Sequence, residues 1–283
     1  MIDKNLSMLT NINILKDILQ KHSLVPRKSL GQNFLINESI LQKIIETAEL
    51  SKKDIIIEVG PGIGTLTKEV AKYVKKIIAI EKDKKLIPIL KENLINCKNI
   101  DIVNEDILNF KCKEKNYKVI ANIPYYITSP IIRKFLEQKN KPSLIVLTIQ
   151  KEVAERIVAK PPKMNLLAVS VQVYAKPKII TNISKSSFWP QPNVNSSIIK
   201  LNPFPEKEIP PFYSCFFNIA KIGFSHPRKQ LQKNIHLHYK KEGYDIVKSI
   251  ECANINLKRR AETLNIEEWK MVTKAIMKKN LHL

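Results

Sequence analysis

Ile55-Ile56-Ile57-Glu58-Val59-Gly60-Pro61-Gly62-Ile63-Gly64-Thr65-Leu66-Thr67 decides how this chain folds. Only six glycines occur in 283 residues, and three of them, Gly60, Gly62 and Gly64, fall in this stretch. A chain so short of glycine keeps it where the backbone must turn tightly or approach something closely. The run Asp54 to Val59 before the turn is short, β-branched and uninterrupted, which predicts a buried parallel strand. Thr65 to Val74 behind it carries Leu66, Val70 and Val74 at helical spacing. Strand, glycine turn and helix open a Rossmann-like unit. Glu81 closes a second apolar run, Ile77 to Ile80, about twenty residues on, where such folds put the carboxylate that holds ribose hydroxyls. The pattern G-x-G-x-G, with Pro61 inside it, lacks the third glycine that a pyrophosphate needs. The expected ligand is a nucleoside without a diphosphate.

The rest of the chain extends this pattern. Apolar runs at 54–59, 77–80, 100–103, 117–121, 144–149 and 168–175 predict strands, and segments near 65–74, 84–95, 130–138 and 151–158 predict helices. That alternation means a mostly parallel sheet covered on both faces. A helix is also expected from Glu38 to Glu49, with Ile40, Leu41, Ile44 and Ile45 on its apolar side. Prolines crowd Pro203 to Pro211, and beyond them the pattern is wholly helical, at 212–222, 227–236, 243–250 and 266–279. The expected organisation is an N-terminal lead over 1–26, an α/β domain over 27–202 and a small all-helical domain over 203–283.

Lys and Arg number 48 against 26 Asp and Glu, a net charge of +22. Such an excess points to a polyanionic partner, because each neutralised phosphate releases condensed counterions. A general bias toward Lys, Ile and Asn would raise the charge as well, so charge alone favours nucleic acid without establishing it. Cys97, Cys112, Cys215 and Cys252 stand far apart with no C-x-x-C spacing, which indicates neither a zinc site nor a disulfide framework. A reducing cytoplasm is expected. The N-terminal stretch Leu9 to Leu19 is amphipathic and has no cleavage pattern, and no run approaches the roughly 20 apolar residues that cross a bilayer.

Between the strand ending at Ala121 and a helix beginning near Ser129 lies Asn122-Ile123-Pro124-Tyr125. It matches the [ND]-[LIP]-P-[YF] loop of enzymes that methylate exocyclic amines of nucleobases. An adenine amine is a poor nucleophile, since its lone pair is delocalised into the ring. An acceptor must hold its N–H groups while the nitrogen pyramidalises. The Asn122 side-chain oxygen with the Ile123 or Pro124 carbonyl can do so, Pro124 stiffens the turn, and Tyr125 offers a ring to an unstacked base. Asp106 follows the strand Ile100 to Val103 at the same carboxyl edge, where open α/β sheets bind ligands. Taken alone it reads better as a helix cap.

With these features in this order the chain resembles a class I methyltransferase dependent on S-adenosylmethionine. More narrowly, it resembles the small-subunit ribosomal RNA adenine dimethyltransferases, the kasugamycin-sensitivity enzymes. The resemblance spans about Arg27 to Trp269. It rests on Lys28 to Leu35 (KSLGQNFL), Glu58 to Thr67, Asn122 to Tyr125, Gln150 to Ile157 (QKEVAERI), Phe188 to Ser196 (FWPQPNVNS) and Arg259 to Glu262 (RRAE). Three departures stand out: Ile123 replaces the usual Leu, Glu105 a frequent glycine, and Lys160 to Ala168 is short and lacks the usual Tyr-Gly-Arg.

The resemblance implies that Gln32, Asn33 and the Leu35 backbone close over the methionine part of S-adenosylmethionine. It puts Gly60 and Gly62 along the cofactor, Glu81 and Lys82 at the ribose, and Asp106 and Ile107 at the adenine. Asn122 would orient the target amine beside the cofactor, with Tyr125 and Phe188 sandwiching the target base; the alternative for Phe188 is a plain core aromatic. It further implies two methyls on each of two adjacent adenosines in a hairpin loop near the 3′ end of 16S ribosomal RNA, with S-adenosylhomocysteine released and no metal involved. The helical domain carries Arg228, Lys229 and Lys233 in one basic segment and Arg259 and Arg260 in another, read as contacts to ribosomal RNA phosphates on the small subunit. His22, His226, His236, His238 and His282 are read as surface or RNA-facing, because no general base is needed. A monomer is expected. The rival readings are a large-subunit (23S) adenine dimethylase and a methyltransferase-like RNA-binding factor without activity.

Overall fold

A computed structural model describes residues 8–27, 30–206, 209, 213–239, 255–256 and 258–280. In chain order the strands are β1 (Phe34–Leu35), β2 (Ile55–Val59), β3 (Lys76–Glu81), β4 (Ile100–Asn104), β5 (Tyr117–Asn122), β6 (Leu144–Gln150), β7 (Ala175–Ile183), β8 (Phe188–Trp189) and β9 (Ser196–Pro203). The α-helices are α1 (Ile12–Lys21), α2 (Glu38–Thr47), α3 (Thr65–Ala71), α4 (Ile87–Asn93), α5 (Thr128–Glu137), α6 (Lys151–Ile157), α7 (Leu166–Gln172), α8 (Tyr213–Gly223), α9 (Leu231–Tyr239) and α10 (Ile266–Asn280). The helix expected over 243–250 lies outside the described residues, as do Lys28 and Ser29.

The main sheet has seven strands in the order β4-β3-β2-β5-β6-β9-β7. β2 to β6 pair in parallel, as buried aliphatic runs joined by helices must. β9 returns antiparallel to β6, so the sheet is mixed at that end. Sequence periodicity does not mark β9, because its last residues run into the proline-rich stretch. A second correction concerns residues 168–175, expected as a strand. Leu166–Gln172 is a helix, started by the Asn165 side chain, whose oxygen accepts the Ala168 N–H at 3.0 Å. Its buried Ala168, Val169 and Val171 are too few to separate period 2 from period 3.6, and the cap decides the matter.

Two compact units emerge from the contacts: residues 1–154 with 177–203, and residues 155–176 with 204–283. The expected boundary near 203 is thus accompanied by a group of residues, 155–176, that belong with the C-terminal unit. In the first unit, α2 and α3 pack Leu41, Ile44, Ile45, Leu66 and Val70 over the sheet residues Ile56, Ile77 and Val146. A separate cluster joins Leu15 and Leu19 of α1 to Phe34, Ile63, Leu86 and Ile89. The lead segment from residue 8 onward therefore has a packed place in this unit. Asn11 starts α1 by accepting the Asn13 and Ile14 N–H groups.

The C-terminal unit is built round Trp269 of α10, which is fully buried and stacks on Phe224 at 5.4 Å between ring centroids. Gly223 lets α8 close on it. A Cβ there would stand 2.4 Å from Trp269 Cη2 and 2.9 Å from Leu231 Cδ1, so no other residue fits unless they move. Asn234 of α9 ties the α8 end to the next turn by donating to the Gly223 and His226 carbonyls at 2.6 and 3.1 Å. Among the described residues, no helix is long and apolar enough to cross a membrane.

Candidate active site

The parallel register brings the ends of three strands level. Val59 pairs with Ile80 and with Ala121, so Gly60, Glu81 and Asn122 all follow at the carboxyl edge of the sheet. Gly62 has φ of +62°, and its N–H donates to Glu81 Oε2 at 3.2 Å. A Cβ at Gly62 would meet the Phe34 ring at 3.3 Å, which is why this turn requires glycine on both conformational and steric grounds. The other Glu81 oxygen accepts the Asp83 N–H at 2.8 Å. Burial holds the Glu81 carboxyl above its ordinary value, and these backbone N–H groups offset only part of that rise.

Here lies a cavity of about 300 Å³. Gln32, Asn33, Leu35, Gly60, Gly62, Glu81, Lys82, Asp106, Ile107 and Asn122, the residues that sequence reasoning assigned to the cofactor, line it together with Pro124. Asp106 is ion-paired with Lys82 at 2.8 Å and accepts the Leu108 N–H at 2.9 Å. Lys82 holds the Asp106 carboxyl below the ordinary value, so it is an anionic acceptor at neutral pH.

The segment before β1 is fastened over the cavity by Asp83, which sequence reasoning did not single out. Asp83 pairs with Arg27 and accepts the Gln32 side-chain N–H at 2.7 Å. Gln32 in turn accepts the Arg27 backbone N–H at 2.8 Å. Burial would raise the Asp83 carboxyl, but Arg27, the Lys85 N–H and Gln32 outweigh it and hold it low.

The same segment sets the acceptor loop. Asn122 Nδ2 donates to the Asn33 carbonyl at 3.1 Å. A carbonyl only accepts, so the amide nitrogen must face Asn33, and Asn122 Oδ1 is left for another donor. Beside it Gly31, at φ +61°, lies so close to the loop that a Cβ would be 2.8 Å from Pro124 Cβ. The Pro124 carbonyl accepts the Ile127 N–H at 3.2 Å and closes a 3-10 turn over Tyr125–Ile127.

Two residues assigned to the target base do not line the cavity. Phe188 is 3 % exposed, pairs with Leu35 across β1 and β8, and packs among Leu35, Leu41 and Ile198 in the core. The core-aromatic alternative describes its place here. Tyr125 is half-buried, and its hydroxyl shares a 2.6 Å hydrogen bond with Ser196 Oγ. Its neighbour Tyr126, which sequence reasoning passed over, lines the cavity and is 56 % exposed. Glu58 was likewise passed over as part of the glycine block. It is 2 % exposed, lines the cavity, and its Oε2 has no hydrogen-bond partner among the described residues. The signal was present: a lone acid in an otherwise aliphatic buried strand.

In the C-terminal unit an isolated antiparallel bridge joins Gln230 to Arg260, and the Leu231 N–H donates to the Arg259 carbonyl at 2.8 Å. The two basic segments expected to meet RNA are thereby side by side. Arg228, Lys229 and Lys233 are exposed, and so is Arg260, which faces Glu262 at 3.7 Å. Arg259 differs: it is ion-paired to Glu268 and bonded to Thr263, where it braces the start of α10.

Residues 23–277 match the family model described as ribosomal RNA adenine dimethylase. The chain is 41 % identical over 273 residues to the ribosomal RNA small subunit methyltransferase A of Alkaliphilus metalliredigens, covering 92 % of this chain and 95 % of that protein. It is 43 % identical over 263 residues to the protein of the same name from Clostridium botulinum strain Langeland, covering 90 % and 95 %. Among solved structures, a dimethyladenosine transferase from Plasmodium falciparum superposes with a TM-score of 0.78 at 27 % identity, covering 87 % of this chain and 98 % of that one. The 23S rRNA methyltransferase ErmE shares the fold, with a TM-score of 0.71 at 24 % identity over 87 % of this chain and all of that one. The chain belongs to the ribosomal RNA adenine dimethylase family.

Proposed function

We propose that this chain transfers methyl groups from S-adenosylmethionine to N6 of two adjacent adenosines in a hairpin loop near the 3′ end of small-subunit ribosomal RNA, each adenosine receiving two. The observation that carries the reading is the pinned Asn122 amide, whose free Oδ1 stands at the rim of a cavity that also holds Glu81 and Asp106. The cavity's donors and acceptors suit a nucleoside: Glu81 for ribose hydroxyls, Asp106 for an adenine amine, and apolar Leu35 and Ile107 for the remainder. The cofactor supplies a methyl on a sulfonium, already a good leaving group.

The protein's own task is then positioning. Asn122 Oδ1 accepts one hydrogen of the target amine. The Ile123 carbonyl is favoured for the other, since Pro124's already serves the Ile127 N–H. Held in this way, the nitrogen lone pair turns out of the ring plane and toward the cavity, an arrangement that accounts for most of the acceleration in a displacement of this kind. A strong base is not needed, because the nitrogen becomes acidic only after it is methylated. A hairpin loop is a suitable target, its bases being already partly unstacked.

Residues 27–202 are the methyltransferase domain in this reading, and the helical domain over 203–283 holds rRNA phosphates through Arg228, Lys229, Lys233 and Arg260, with Arg259 as their brace. The reading is of a monomer acting on ribosomal particles in the cytoplasm. Transfer of labelled methyl to small-subunit and large-subunit particles tests the proposal. Label in small-subunit adenosine is expected, reduced about 10² to 10³-fold in kcat by Asn122→Ala. Label confined to large-subunit particles would move the reading to the 23S enzymes, and no transfer to either would leave an RNA-binding factor.

A further inference from the structure

Glu58 lies on the cavity wall with one carboxyl oxygen unpaired and almost no exposure. An ionised carboxylate in such a place would need a cation or several N–H donors. Among the described residues no ion pair reaches it, and its Oε2 accepts no hydrogen bond. In register beside Glu58 are Ala79 of β3 and Ile120 of β5. Further along β3, Glu81 is an acid, and Lys76 is engaged by Asp101 and Glu114. On β5, Lys118 is held by Asp54 at 2.8 Å. Across the cavity Lys82 pairs with Asp106 and Arg27 with Asp83, and Glu105 adds another acid. The Thr67 hydroxyl favours the charged form, but burial outweighs it. Burial first, with help from the charge of Glu81, pushes Glu58 up to about 8.

A buried carboxyl on the cavity wall, with an unpartnered oxygen, is suited to a ligand that brings its own positive charge. We propose that Glu58 is a charge-sensing carboxyl: protonated in the free protein, it gives its proton to solvent when the sulfonium donor fills the cavity. It takes a proton back once transfer has left the uncharged thioether product. Glu58 thereby discriminates donor from product. The inference rests on the cavity's being the site of S-adenosylmethionine. Its consequence is linkage: in the range where free Glu58 is protonated, donor affinity rises with pH by up to about tenfold per unit, while product affinity gains no such slope from this residue.

Calorimetric titration of the full chain with S-adenosylmethionine and with S-adenosylhomocysteine, at pH 6.5 to 8 in buffers of different ionisation enthalpy, tests this. At pH 7 the donor is expected to release most of one proton more than the product does. Glu58→Gln is expected to abolish that excess and flatten the donor's pH slope, which also subtracts the titration of the ligand's own amino group. Infrared difference spectra on wild-type protein should show a protonated carboxyl band lost with the donor and kept with the product, a measurement that stands even if Glu58→Gln folds poorly. Equal proton counts for the two ligands, or an excess that survives Glu58→Gln, would overturn the inference while leaving the cofactor assignment intact. Failure of either ligand to bind would remove both.

Discussion

Glu58, Glu81 and Asp83 stand 2, 6 and 4 % exposed at the edge of the sheet, whereas Arg228, Lys229 and Lys233 lie on open surface in the C-terminal unit. Two of these acids are fixed by specific partners, Glu81 by the Gly62 and Asp83 N–H groups and Asp83 by Arg27 and Gln32, while Glu58 is held by burial in β2. The cations of the second unit are presented by helix ends and turns. The difference matches ligand size. A small ligand is recognised by buried groups whose geometry is set beforehand, because in a low-dielectric cavity each misplaced dipole is costly. A long polyanion is held by many solvated charges, each replaceable and each screened by salt.

That contrast can be broken most forcefully at Gly31. Gly31→Ala forces a side chain into Pro124 and into a left-handed backbone conformation, moving the loop that carries Asn122. The expected result is a fall in kcat on the order of 10²-fold, unaffected by salt. Particle affinity should be within about twofold of wild type by filter binding. A change confined to particle affinity would show that Gly31 serves RNA contact instead.

The converse experiment is Arg228→Glu with Lys229→Glu. Affinity for small-subunit RNA should drop at least about tenfold at low salt, and the slope of log affinity against log salt should shrink by about 2. kcat at saturating RNA should stay near wild type. Unchanged affinity at low salt would reject the assignment of these cations.

Smaller effects probe the frameworks. Gly223→Ala overpacks the Trp269 cluster and should cost about 1–3 kcal/mol, seen as a melting point lower by several degrees. Cofactor affinity should be little altered, since the cavity is lined by the other unit. Glu58 sets a pH effect on stability. Its folded value near 8 exceeds the ordinary 4.5, so between those values the folded protein binds the extra proton. Stability should therefore be greatest near pH 5 and decline as pH rises toward 8 in the ligand-free protein, a decline that Glu58→Gln removes. A melting point independent of Glu58 over that range would show the carboxyl to be ionised already.

Some of this architecture was readable before any coordinates. β2, the glycine turn and α3 follow from a buried aliphatic run, three glycines and a helical spacing, all of them local. Glu81, Asp106 and Asn122 follow because in a parallel sheet every strand ends at the same edge, so residues just past three strand ends must meet. α7 was misread as a strand because the Asn165 cap, not the spacing of its apolar residues, decides it. β9 is not marked by its sequence, because Ser196 to Leu201 is buried almost throughout and its end runs into the proline-rich stretch.

What the amino-acid order determined by itself was the fold class and the sheet edge at which the cavity lies, with Gly60, Gly62, Glu81, Asp106 and Asn122 on it, since those depend on short-range periodicity and on the rule that parallel strands share an end, while Gln32, Asn33, Leu35 and Ile107 came from the family resemblance. Only the tertiary structure decided which way the Asn122 amide faces, that Gly31 presses on Pro124, that Phe188 packs in the core, that Arg259 braces α10 while Arg260 faces solvent, and that Glu58 is buried on the cavity wall. Each of these is set by how segments pack against one another in three dimensions, and neither that packing nor the exclusion of water is written in any local stretch of sequence.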